Sequence, residues 1–223
     1  MFNAESVLSS RLEDPGRIVT LQGDLEQEND IWTHPPSPEV DAAWLGLTKY
    51  GNAWATADDL LRAGKNLSIT VKFGEEAGLG DDAYPIVSDV KHLVHCLNRI
   101  RKDLWFDYYW SSTFPNGVPS ELHKRHTAHC FSILVQSLVC NANTDIITYA
   151  WYDGYALPLH DFNINRKCGD FDGISDWMGD HVVEPDDVFD YTHKTHDQVT
   201  LPMSPSLRAV VEGYDGGADA NTG

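Results

Sequence analysis

The sequence predicts an α+β, mainly α fold: a single compact domain with two metal-bearing helices, short strands and extended terminal arms. Three observations lead there. From Asp89 to Leu104 and again up to Cys140, apolar residues recur at helical spacing. Elsewhere, short runs rich in β-branched and aromatic residues are bounded by Gly, Pro or Asn. The chain has 223 residues and 42% hydrophobic content, enough for one sizeable core. The expected divisions are an N-terminal arm at 1–31, the domain at 32–185, and a C-terminal arm with a disordered tail at 186–223.

Taken in order, the acidic first thirty residues read as an extended arm with a strand at Arg17–Gln22, followed by a proline-rich turn from Trp32 to Pro38. Ser37 then caps a helix with Pro38 at its first position; Ala42, Ala43, Trp44 and Leu47 follow, and the helix stops before Gly51. A second, short helix runs from the Thr56 cap to Ala63 and ends at Gly64. Leu67–Phe73 alternates as a strand does, and Gly74 to Asp82 is a turn. Asp89 is expected to cap the next helix, with Val90, Leu93, Val94, Leu97, Ile100 and Leu104 on one apolar stripe of about 120°. A further helix carries Phe131, Leu134, Val135 and Leu138 as its stripe, Ile146–Trp151 reads as a strand, and Asp172–Met178 as a short helix ended by Gly179.

The two long helices share a pattern, His-x-x-His-Cys, at His92, His95, Cys96 and at His126, His129, Cys130. Residues three apart on a helix sit roughly 60° apart around the axis, so each His pair can reach one ion. Neutral imidazole is the commonest side-chain ligand for copper and zinc, so His92, His95, His126 and His129 are the candidate metal ligands. His123, one turn before His126, is a candidate additional ligand. In both helices the histidines lie off the apolar stripe, which fits either a solvated polar face or a helix lining an open cleft; an open site suits catalysis better than a closed structural one. No separate catalytic acid or base stands out.

Composition narrows the function class. A formal charge of −18 and a pI near 4.7 disfavour nucleic acid and anionic membrane surfaces as partners. No apolar run reaches the length of a membrane span, and the N-terminus lacks the apolar stretch of a signal peptide. Four cysteines (Cys96, Cys130, Cys140, Cys168) and the sequon Asn66-Leu67-Ser68, a candidate glycosylation site, point to an oxidising secretory lumen. There the cysteines are disulfide candidates with three connectivities; as thiolates they would instead select copper(I) or zinc.

Beyond the paired motif, the chain carries Ser37-Pro38-Glu39-Val40-Asp41 with Trp44, the Tyr84 to Val90 approach, and Asn98 with Arg101. Cys140 is followed by Asp145, Trp151, Lys167-Cys168, Asp170-Phe171-Asp172 and Trp177. In this order the chain resembles the fungal UstYa-like oxidases. That resemblance implies a tailoring oxidase of fungal secondary metabolism, in clusters making cyclic ribosomal or non-ribosomal peptides. Its chemistry would be oxidative macrocyclisation, hydroxylation or halogenation, with copper as cofactor and dioxygen and a peptide or other small molecule as reactants. Relatives of this kind carry an N-terminal membrane helix, so the resemblance further implies a membrane anchor preceding Met1. Homo- or hetero-oligomers are compatible with it. Arg166 departs from the pattern, standing where such relatives often have His. From a different class, a zinc-stabilised, non-catalytic binding or scaffold protein would use the same His and Cys residues to hold helices together.

Overall fold

In the computed structural model the described residues are 17–23, 30–194 and 198–212. The N-terminal strand falls at Arg17–Thr20 (β1), and the parts of the two arms at 1–16, 24–29, 195–197 and 213–223 lie outside the described residues. Helix α1 spans Pro38–Thr48, and Ser37 Oγ accepts from the Val40 N–H at 3.3 Å, which satisfies one of the free donors of its first turn. Strand β2 (Asn52–Ala55) follows, then α2 (Ala57–Arg62), closed at its start by a reciprocal Thr56–Asp59 capping box.

The expected strand at Leu67–Phe73 is not formed. Asn66 Oδ1 accepts from the Ser68 N–H and hydroxyl at 3.0 and 2.9 Å, and Thr70 Oγ1 donates to Asn66 O at 2.9 Å, so local side-chain bonds curl the segment into turns. The partner of β2 is instead β3 (Tyr84–Val87), antiparallel with Ala53 opposite Ile86. His181–Val183 runs along the other edge of β2, through Trp54 N to His181 O and Val183 N to Asn52 O. Ala53, Phe73, Ala83 and Val183 are buried around this ribbon.

Helix α3 spans Asp89–Leu104, with Ser88 rather than Asp89 at its N-cap, and is followed by the short α4 (Phe106–Tyr109) and by α5 (Glu121–Cys140). Beyond it come the hairpin of β4 (Thr148–Ala150) with β5 (Leu159–Asp161), and β6 (Asn165–Cys168), which pairs antiparallel with β1. Helix α6 covers Phe171–Asp180, capped by Asp170; Gly179 lies inside it and does not end it. The segment after Pro185, expected as an extended arm, holds two helices, α7 (Pro185–Asp190) and α8 (Pro205–Glu212).

The orientation of the long helices reverses the expectation from their apolar stripes. Leu97 and Leu104 on α3, and Phe131, Val135 and Leu138 on α5, are exposed, whereas the buried residues are Lys91, Cys96, Asn98, Arg99 and Arg101 on one helix and His123 and Cys130 on the other. Most of these polar residues find partners that apolar residues could not supply. Across the seam, His123 Nε2 and Asp103 Oδ1 are 2.9 Å apart, and Thr127 Oγ1 donates to Asp103 Oδ2 at 2.7 Å. Towards α1, Arg101 donates to Asp41 Oδ1 (2.8 Å), Asn98 Oδ1 (2.9 Å) and the Tyr109 hydroxyl (2.8 Å). Tyr109 in turn donates to Asp41 at 2.6 Å, and burial with that bond pushes its pKa up to about 12.

Removing the guanidinium strands Tyr109 and Asn98 inside this network. Arg101→Met is therefore expected to cost about 2–3 kcal/mol, read as a lower urea midpoint at unchanged slope. A midpoint within 0.5 kcal/mol, by order of magnitude, of the parent would mean that α1 does not depend on the network.

Candidate metal centre

The motif spacing places each His pair on one side of its helix, and the antiparallel run of α3 against α5 brings the pairs face to face. His92 lies opposite His129 and His95 opposite His126, with ring centroids 5.8 and 6.0 Å apart; His92 and His95 are 6.4 Å apart and nearly parallel. Two imidazoles bound to one ion at about 2.0 Å per metal–nitrogen bond hold their centroids roughly 5–6.5 Å apart, depending on the angle between them. The rings therefore stand at ligand-pair spacing. Among the described residues, no three His, Cys, Asp or Glu side chains already converge on one point, so binding requires rotation of at least one ring. His92, His95 and His126 are half-buried and His129 is exposed, which leaves the cluster open on the His129 side.

Beneath the histidines lie the two motif cysteines, both fully buried. Cys130 is hydrogen-bonded to Cys96, whose Sγ is 3.7 Å from His92 Nε2. Burial pushes the Cys130 thiol up to about 12, so it stays protonated near neutrality while no ion is bound. Burial lowers the His95 pKa, with the charges of His92, Arg99 and Lys102 adding to it, and this favours the neutral imidazole that a metal needs. The donor set fits copper or zinc, both of which imidazole suits.

His123 does not join the cluster. Its ring is buried edge-on against Trp110, Phe114 and Phe106 at 4.7, 5.1 and 6.2 Å, and its Nε2 meets Asp103. It pins α5 to α3 one turn below the metal candidates. Arg99 lies close by, 3% exposed, with Nε and Nη2 unbonded and its guanidinium 5.4 Å from the Trp110 ring centre.

All four cysteines are free thiols in the structure: Cys140 is exposed at the end of α5, and Cys168 is half-buried, its thiol directed at Arg166 O. Arg166 itself pairs with Asp145 at 2.6 Å and ties β6 to the loop after α5. Asn66 is exposed in its turn. Among the described residues, no helix is long and apolar enough to cross a membrane.

A cleft of about 490 Å³ opens beside His92 and His95. Its walls include Leu45, Val87 and Val182, together with Lys49, Tyr50, Lys91 and Glu184. None of these was singled out from sequence. Lys91 carried one signal, since a cation in the first turn of a helix opposes the positive end of the macrodipole. Tyr50 carried none: its φ of 61° and its ring packed against Gly179, where an added Cβ would lie 3.3 Å away, are visible only in the structure.

Comparison with known proteins places the chain in a family. The family model described as "Mycotoxin biosynthesis protein UstYa" matches residues 4–181. UstYa family oxidase aprY of Aspergillus flavus is 35% identical over 206 residues, which are 88% of this chain and 61% of that protein. UstYa family oxidase phomYc of Diaporthe leptostromiformis is 26% identical over 158 residues (68% and 59%), and oxidase ustYa of Aspergillus flavus is 26% identical over 154 residues (66% and 61%). The chain thus spans about three-fifths of the length of these curated relatives. No solved structure matches it. Both motif helices lie within the matched region, and by that match and the identity to aprY this chain belongs to the UstYa family.

Proposed function

We propose that the protein is a copper-dependent oxidoreductase that uses dioxygen to tailor a fungal secondary metabolite, a peptide in this reading, in the secretory lumen. The observation that carries it is the opposition of His92 and His95 to His129 and His126 across one helix seam, beside a cleft. Copper held there would supply one-electron redox chemistry, which zinc lacks. The chain's own part is positional. Asp103, His123 and Thr127 fix the register of α5 on α3, so the four imidazoles stay within reach of one another. The apolar cleft walls exclude water from one side of His92 and His95 and leave room for a side chain such as Tyr or an aliphatic residue. The names of the relatives support the oxidase class, and the peptide substrate is an extension by analogy.

Purified protein loaded with copper should take up oxygen in the presence of its peptide, whose mass falls by two hydrogens as dioxygen is reduced to hydrogen peroxide, or, with a two-electron reductant such as ascorbate supplied, rises by one oxygen as the second oxygen atom leaves as water. Stoichiometric zinc with no oxygen uptake would replace the oxidase by the zinc-stabilised scaffold. Replacing His92, His95, His126 or His129 by Ala should weaken copper retention at least tenfold, about 1.4 kcal/mol, by metal analysis after dialysis. Full copper in the quadruple variant would sink the site. His123→Ala should lose on the order of 2 kcal/mol of stability, because it leaves the Asp103 carboxylate without its imidazole, and should weaken copper retention less than any of the four ligand variants, since Thr127 still holds the register.

Cys96 and Cys130 are the pair best placed to join under oxidation. Both are fully buried and Cys130 stays protonated, so oxidised glutathione should link them only when the reduced chain is refolded in it, with release of reduced glutathione and one cross-linked peptide in a non-reducing digest. Recovery of Cys96 or Cys130 only as free thiol, or linked to Cys140 or Cys168, would contradict this pairing.

A further inference from the structure

Lys91 stands next to His92 in the first turn of α3 and is only 2% exposed, although a cation there is opposed by the helix dipole. Two of its three donors are used: Nζ donates to Leu47 O at 3.0 Å and to Ser175 Oγ at 2.7 Å, and it lies 4.5 Å from the Phe171 ring centre. Ser175 donates onward to Phe171 O, so the acceptor is itself held. No carboxylate among the described residues forms an ion pair with Lys91, in a chain with 34 Asp and Glu against 16 Lys and Arg; Asp172 acts on it only through space. A buried ammonium without a counter-ion is costly, and a ligand that brings one recovers that cost on binding.

The same residue lines the cleft that opens on His92 and His95. A second cation, Lys49, lines it too, with no ion pair among the described residues and its Nζ 4.4 Å over the Tyr50 ring. Tyr50 is held in the left-handed region at φ 61°, its ring against Gly179, where even a methyl group would come within 3.3 Å. Glu184 is the sole carboxylate among the lining residues. The cleft is therefore locally cationic on a strongly anionic protein, with Leu45, Val87 and Val182 also in its lining.

We propose that this cleft binds the free carboxylate of a peptide, with Lys91 as its buried counter-ion and Lys49 as the outer one, so that the neighbouring side chain is laid over His92 and His95. Lys91 is then a positioning residue, and its role rests on the reading of the histidines as the reacting centre. A carboxylate in the cleft pairs with Lys49 and balances the buried charge of Lys91 through space, and the adjacent apolar side chain meets Leu45, Val87 and Val182.

The test uses a pool of N-acetylated tripeptides with a central tyrosine, made as free acids and as C-terminal amides. Binding to metal-free and copper-loaded full chain is followed by ligand-detected NMR. The acids should bind at least tenfold more tightly than the amides. In Lys91→Met this preference should fall to within twofold while copper content stays that of the parent, and in Lys49→Met it should fall partway. Equal binding of acids and amides to the parent protein, or binding of neither at millimolar peptide, overturns the proposal without any variant. A preference that persists in both variants overturns it too. Acid preference in a protein that takes up neither copper nor oxygen keeps the carboxylate cleft and removes the oxidase reading, whereas copper-dependent turnover with no acid preference does the reverse.

Discussion

The seam between α3 and α5 carries the rest of the molecule, and it is held by directional polar contacts more than by apolar area. On α3 the buried positions are a lysine, a cysteine, an asparagine and two arginines. On α5 they are His123 and Cys130. Hydrogen bonds and ion pairs in a partly desolvated seam lose most of their energy when displaced by a residue, so they select one register where leucines would tolerate several. The Asp103, His123 and Thr127 contacts set that register, and the facing imidazoles further along the seam inherit it.

This arrangement also explains why the apolar core is small and lies elsewhere. Ala53, Phe73, Ala83 and Val183 pack around the β2–β3 ribbon, where small residues let the backbone of His181–Val183 approach β2 closely. The end of α1, the β2–β3 ribbon and residues 182–185 line the cleft together with Lys91, His92 and His95 of α3. Lys91 also bonds to Leu47 at the end of α1 and to Ser175 on α6. The cleft therefore depends on contacts among segments far apart in the chain, and its shape follows the polar seam.

Several residues quoted together from the sequence turn out to be one physical unit. Asp41 and Trp44 on α1 meet Asn98 and Arg101 on α3, with the guanidinium 5.3 Å from the Trp44 ring centre. Tyr109, which carried no spacing signal, completes the group. Arg166 pairs with Asp145, so this position has a structural partner of its own.

From the sequence alone, the helical periods of α3 and α5, the Ser37 and Thr56 caps and the four candidate histidines were legible, because each depends on residues within a turn or two of one another. The strand at Arg17 was legible too, by its composition. What remained closed to it was which face of each long helix would be buried. Amphipathic stripes favoured Leu97 and Leu138 inside, and both are exposed, because the partners that satisfy Arg101 and His123 lie on distant segments and act only once the chain has folded. The same reason separates the local Asx turn at Asn66, which defeated a plausible strand, from the β2–β3 pairing that took its place. Tertiary structure likewise decided that His123 is a pin among aromatic rings and that Lys91 lines the cleft. A side chain's surroundings, unlike its spacing, are set by residues that the local sequence does not contain.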